Sequence, residues 1–141
     1  MFQTVVVGAD GSPTASEAFR YALDLLKMSG GSLHIVLAYK PLATSTQGVP
    51  DEFIDGVDSA SVAATILDDL ASRAKAAGIR TTTHALKEEP GDAILGVAQK
   101  EGADLIVVGN KGMKGVRRVL GSVPNAVAHR SPCSVLIVQT T

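Results

Sequence analysis

The sequence has no tryptophan, two tyrosines and three phenylalanines. That leaves little aromatic surface to stack a flavin and argues against an electron-transfer module. There is one cysteine, Cys133. A single thiol cannot close an internal disulfide, so a disulfide-framed secreted scaffold has no support. With Pro132 before it and a β-branched run after it, Cys133 reads as an inert, partly buried thiol. Charge of either sign is scarce: 13 basic and 14 acidic residues leave a net −1. The whole chain therefore exerts no attraction on nucleic acid or an anionic membrane. No apolar run approaches the roughly 20 residues of a spanning helix. The opening Met1-Phe2-Gln3-Thr4 lacks a basic stretch ahead of an apolar one. The expected location is the cytoplasm.

What is present is an ordinary globular composition, 45% hydrophobic and 19% charged over 141 residues. One domain spanning residues 1–141 can bury a core at this length without staples. Val5-Val6-Val7 and Leu105-Ile106-Val107-Val108 are continuous apolar runs ended by glycine. Such runs read as strands buried on both faces. Leu33–Tyr39, Thr81–Leu86 and Ser134–Val138 read as three further strands. Between them apolar residues recur at helical spacing: Ala15, Ala18, Phe19, Ala22 and Leu26; then Ala63, Ile66, Leu67, Leu70 and Ala74; then Ile94, Val97 and Ala98. Ser12-Pro13 and Pro90-Gly91 are helix starts, and Gly30 and Gly78 are stops. Ser122 is expected to cap a last helix ending near Arg130, with Pro124 in its first turn. Residues 40–58 have no period and form a long loop, expected to be mobile and to lie near a ligand.

Strict β-α alternation predicts an α/β fold, an open parallel five-stranded sheet with helices on both faces. Ligands of such sheets bind beyond the carboxyl ends of the strands, where strand order switches. The segment from Gly109 to Ser122 leaves one of these ends. Its glycines allow a ligand close to the backbone. The N–H groups of Gly121, Ser122 and Val123, at a helix start, suit an anion. Lys111, Lys114, Arg117 and Arg118 add local positive charge. Phosphate is the ligand these features describe, with a bare βα turn as the alternative. The segment is not a Walker loop, since no Gly-Lys-Ser/Thr closes it. It is not a dinucleotide fingerprint either, which would follow the first strand.

Taken in order, several segments resemble the universal stress protein family. They are Gly8-x-Asp10-Gly11-Ser12, Pro90 ahead of Ile94, Asp104-Leu105-Ile106-Val107-Val108-Gly109-x-x-Gly112, Gly121-Ser122-Val123, and Pro132-Cys133-Ser134-Val135-Leu136-Ile137-Val138. The resemblance covers nearly the whole chain and implies a Rossmann-like fold of the adenine nucleotide alpha hydrolase-like type. It is similar to the family's ATP-binding branch, actinobacterial in type, whose pattern is Gly-x2-Gly-x9-Gly-Ser/Thr. Here Gly109 and Gly112 fit, but only eight residues separate Gly112 from Gly121. The resemblance implies an adenine-nucleotide regulator, with ATP accompanied by magnesium as the first ligand. Cyclic AMP is the alternative, since a single cyclic phosphate needs less loop. A ligand-free dimeric module is a third reading. The resemblance places Ala9 and Asp10 near the nucleoside and the backbone of Ala38 at the adenine. Gly109, Gly112, Gly121, Ser122 and Val123 would cradle ribose and phosphates, with Lys111 in the same loop. Asp10 also has a local reading, closing the turn before the first helix. The resemblance further implies a homodimer through Val135–Val138, an apolar run with a bare edge.

No Ser-His-Asp or Cys-His arrangement emerges, and Asp10 is the one carboxylate near the expected nucleoside. Turnover is therefore expected to be absent or very slow. His34, His84 and His129 have no cysteine or carboxylate at metal-ligand spacing and read as structural. Asp51, Glu52, Asp55 and Asp58 lack calcium-loop spacing and read as a solvated stretch.

Overall fold

The computed structural model of the chain describes residues 2–39, 59–110 and 121–140. The long loop 40–58 and the loop residues Lys111 and Gly112 lie outside that set. The elements run β1 (Thr4–Ala9), α1 (Pro13–Ser29), β2 (Ser32–Ala38), α2 (Ser59–Ala76), β3 (Arg80–Leu86), α3 (Pro90–Glu101), β4 (Leu105–Gly109), α4 (Ser122–Arg130) and β5 (Ser134–Val138). All pairings are parallel, in the order β3-β2-β1-β4-β5.

The two apolar runs lie in the middle of this order. Val5, Val6 and Val7 of β1 are 0% exposed. Alternate residues point to opposite faces, and both faces are covered. Val5 and Val7 pack beneath α1 and α2 with Ala18, Phe19, Leu67 and Ala74. Val6 packs beneath α3 and α4 with Ile94, Val97 and Val127. Each such valine contributes about 1.5–3 kcal/mol relative to exposure. Alanines on the buried stripes, Ala18, Ala22, Ala63, Ala74, Ala93 and Ala98, let the helices sit close to the sheet.

The edge strands differ. In β3 four of seven residues, Arg80, Thr82, Thr83 and Ala85, are exposed. Its threonines and histidine suit a strand with only partial cover. At the other edge, Val135, Leu136 and Ile137 of β5 are half-buried. At the N-terminal end of the sheet, the Asp104 carboxylate accepts from the N–H groups of Gln3 at 2.8 Å and Thr4 at 3.1 Å. The Asp104 N–H donates back to the Thr4 carbonyl at 2.9 Å. One side chain thus aligns the starts of β1 and β4, which lie about a hundred residues apart in the chain.

One boundary is corrected. The N-cap of α4 is Gly121, not Ser122, and no side chain bonds the first turn. Ser122 is instead the first helical residue, so its hydroxyl is not spent on capping. At α1, by contrast, Ser12 is the cap, and its Oγ accepts from the Ala15 N–H at 3.1 Å.

Candidate functional site

The chain leaves β1 toward β2 on one side and later returns to β4 on the other. Connections from β1 and β4 therefore pass to opposite faces of the sheet, opening a crevice at the carboxyl ends of the two strands. A cavity of about 110 Å³ lies there. That is room for several water-sized groups, more than a packing gap. Its apolar wall comes from Val36, Ala38, Ile94 and Val108, and its polar side from Asp10, Ser12 and Thr14.

Of the residues expected at the site, Ala9, Asp10, Ala38, Gly109 and Val123 line this cavity. Gly121 and Ser122 immediately precede Val123 but are not among its lining residues. Lys111 and Gly112 lie outside the described residues, as do Lys114, Arg117 and Arg118.

Asp10 has the local role as well as the position. Its Oδ1 accepts from the Ser12 N–H at 2.8 Å, and Gly11 between them takes φ of +83°, a conformation that favours glycine. The turn delivers the chain into α1, whose first residues form part of the cavity wall. Tyr39 donates its N–H to Leu86 of β3 at 2.8 Å. Backbone direction alternates along a strand, so the polar groups of Ala38 face the opposite way, toward the β1 side.

The start of α4 differs from expectation in one donor. The Gly121 N–H is not free, because it donates to the Asn110 carbonyl at 3.2 Å. Ser122 and Val123 keep N–H groups without a partner among the described residues, and Pro124 has none to offer. Two backbone donors with the positive end of a helix behind them remain beside the cavity. Gly109 has a packing reason to be glycine: a Cβ there would collide with Thr14 of α1. Its small size therefore serves the contact between β4 and α1 whether or not a ligand binds.

Asn110 was not singled out by the sequence. Its Oδ1 accepts from the Thr140 N–H at 3.0 Å and from the Thr140 hydroxyl at 2.9 Å. Its own N–H donates to Val138 at 2.9 Å, and its carbonyl holds Gly121. One residue thus ties together the ends of β4 and β5 and the cap of α4. An asparagine directly after a strand is the available signal, since its side chain readily bonds nearby backbone. Thr14 and Ala15 also line the cavity without having been anticipated.

These features define a class: a doubly wound α/β protein whose ligand crevice lies at the strand-order switch, beside a helix N-terminus. Residues 1–139 match the model described as the universal stress protein family, and the chain belongs to that family. It is 37% identical over 145 residues to universal stress protein Rv1636 of Mycobacterium tuberculosis, covering 99% of this chain and 98% of the relative. It is 32% identical over 148 residues to universal stress protein YxiE of Bacillus subtilis, covering 99% of this chain and all of the relative. A solved universal stress protein in complex with cAMP is 37% identical, with a TM-score of 0.72 and coverage of 99% and 98%.

Proposed function

We propose that this protein binds an adenine nucleotide, ATP in the first instance, and acts as a stress-response regulator. The observation that carries the reading is the cavity at the switch point, with an apolar wall and, beside it, two helix N–H groups that have no partner among the described residues. The apolar wall suits the face of a base. The backbone of Ala38 suits its polar edge, and the donors at Ser122 and Val123 suit a phosphate. Gly121 would bound the phosphate position, with Gly109 at the end of β4; Lys111 and Gly112 are proposed for the same site from the family resemblance. Magnesium would be held chiefly by the phosphate oxygens and water, because the described lining offers a single carboxylate, Asp10.

Asp10 is also the only titratable side chain among the described lining residues, and its Oδ1 already holds the Ser12 N–H. That favours a binder over a catalyst. The signal then passes through conformation or association, in a cytoplasmic homodimer joined along β5.

Cyclic AMP is the second reading. It is favoured by the relative at 37% identity that was solved with that nucleotide, and by the eight-residue spacing between Gly112 and Gly121. Calorimetric titration with ATP and with cyclic AMP, each with and without magnesium, separates the readings. Tighter ATP binding with magnesium supports the first, and tighter, magnesium-independent cyclic AMP binding supports the second. No heat from either nucleotide would remove the nucleotide site.

A further inference from the structure

His34 of β2 and His84 of β3 stand fifty residues apart in the chain and meet on one face of the sheet. The register pairs His34 with Thr82 and Val36 with His84, so the histidines are diagonal neighbours. They lie on the face covered by α3, since Val36 packs with the α3 residues. His34 Nδ1 and His84 Nε2 are 2.9 Å apart, with the rings tilted by 33°. The helix α3 runs back against the strand direction and brings its last residue, Glu101, to the same place. One ligand atom from each of His34, His84 and Glu101 lies within 4.8 Å of the other two. No carboxylate stands near either histidine at ligand spacing in the sequence, so only the fold assembles this set.

We infer that His34, His84 and Glu101 form a binding site for a divalent transition-metal ion of the zinc type. Tetrahedral zinc with bonds of about 2.0–2.1 Å holds its ligand atoms roughly 3.3 Å apart. The imidazole pair is already near that spacing, and the Glu101 carboxylate, exposed at the end of α3, lies within 4.8 Å of it. Two strands hold the rings, and His34 is 9% exposed, so little ordering remains to be done on binding. Two nitrogens and one oxygen select zinc, cobalt or nickel over magnesium or calcium, and water completes the coordination. Burial and the neighbouring His34 hold the His84 imidazole below its ordinary titration range, against the pull of Glu101. The proton shared between the rings moves to the other nitrogen of its own ring, leaving both facing nitrogens free for the metal. Ala38 is four residues along β2 from His34, about 13 Å away. Val36, which lines the nucleotide cavity, lies between them and pairs with His84, so the metal site adjoins that cavity on the same face while sharing no lining residue with it.

The test is calorimetric titration of the untagged, full chain with zinc sulfate, alongside visible absorption of the cobalt-loaded protein. The expected result is one zinc per chain and a tetrahedral cobalt spectrum, with no response to magnesium. His84→Asn should weaken zinc binding about a hundredfold and Glu101→Gln at least tenfold. Glu101 is exposed, so its variant keeps the fold even if His84→Asn does not. No zinc binding by the parent chain, or affinity that Glu101→Gln leaves unchanged, would overturn the site. The two rings would then share a hydrogen bond and nothing more.

Discussion

Gly121 is where the phosphate reading is most exposed to test. Its φ of −61° and ψ of 170° are open to any residue, so valine there meets no backbone strain. The argument is one of space: Gly121 is buried at the cap of α4, and a branched side chain would push a phosphate from the Ser122 and Val123 donors. Losing one charge-assisted bond costs roughly 1.5–3 kcal/mol. Gly121→Val is therefore expected to weaken ATP binding about ten- to hundredfold per bond lost, measured by calorimetry on protein that still unfolds cooperatively. Ser122→Ala should be milder, because the backbone donors stay. Wild-type affinity in Gly121→Val would make the segment a bare turn. Asn110 supports the same cap indirectly. Asn110→Ala removes both side-chain bonds to Thr140, and the expected loss is about 1–2 kcal/mol of stability in urea unfolding. A midpoint equal to wild type would show that β5 holds Thr140 without it.

Among the described elements, β3 carries a histidine whose shifted pKa ties stability to pH. Burial, then the charge of His34, lowers the His84 pKa from its ordinary 6.5, while Glu101 raises it and Lys100 lowers it further. Between the folded and ordinary values, the unfolded chain binds the proton and the folded chain does not. Stability therefore rises with pH across that interval. The contribution is complete above about 6.5 and is lost as pH falls through the folded value. Metal-free protein should melt at a lower temperature at pH 5 than at pH 7, and His84→Asn should flatten that slope. Glu17, lowered by its hydrogen bond to Arg20, is lost only below its ordinary 4.5 and so belongs to a separate window. An unchanged slope in His84→Asn would place the pH response elsewhere.

For the whole molecule, the open question is association. β5 is an edge strand, and Val135, Leu136 and Ile137 are only half-buried within one chain. Parallel sheets seldom leave apolar edges bare. A second copy pairing along β5 would cover them with twofold symmetry. Light scattering is expected to give the mass of a dimer, and a monomer mass at high protein concentration would remove the proposal. The opposite edge, β3, carries Arg80, threonines and His84, a composition that resists such pairing.

Residue pattern alone determined the class of fold, the element order and the family resemblance. The reason is local: doubly buried strands must be continuous apolar runs, amphipathic helices must repeat at helical spacing, and Ser12-Pro13, Pro90-Gly91, Gly30 and Gly78 punctuate them. Ala9, Asp10, Ala38, Gly109 and Val123 came from the family resemblance, and they line the cavity from strand ends, the turn after β1 and the first turn of α4. The cap of α4 was missed by one residue because serine is the commoner cap and glycine gives no side-chain signal. Other features had no local trace. Asp104 holding Gln3 and Thr4, Asn110 holding Thr140, and Thr14 forbidding a Cβ at Gly109 all depend on strand order and helix approach. The meeting of His34, His84 and Glu101 depends on parallel register and on the return direction of α3. Such contacts arise only when packing brings distant segments together, and that is why tertiary structure alone decided them.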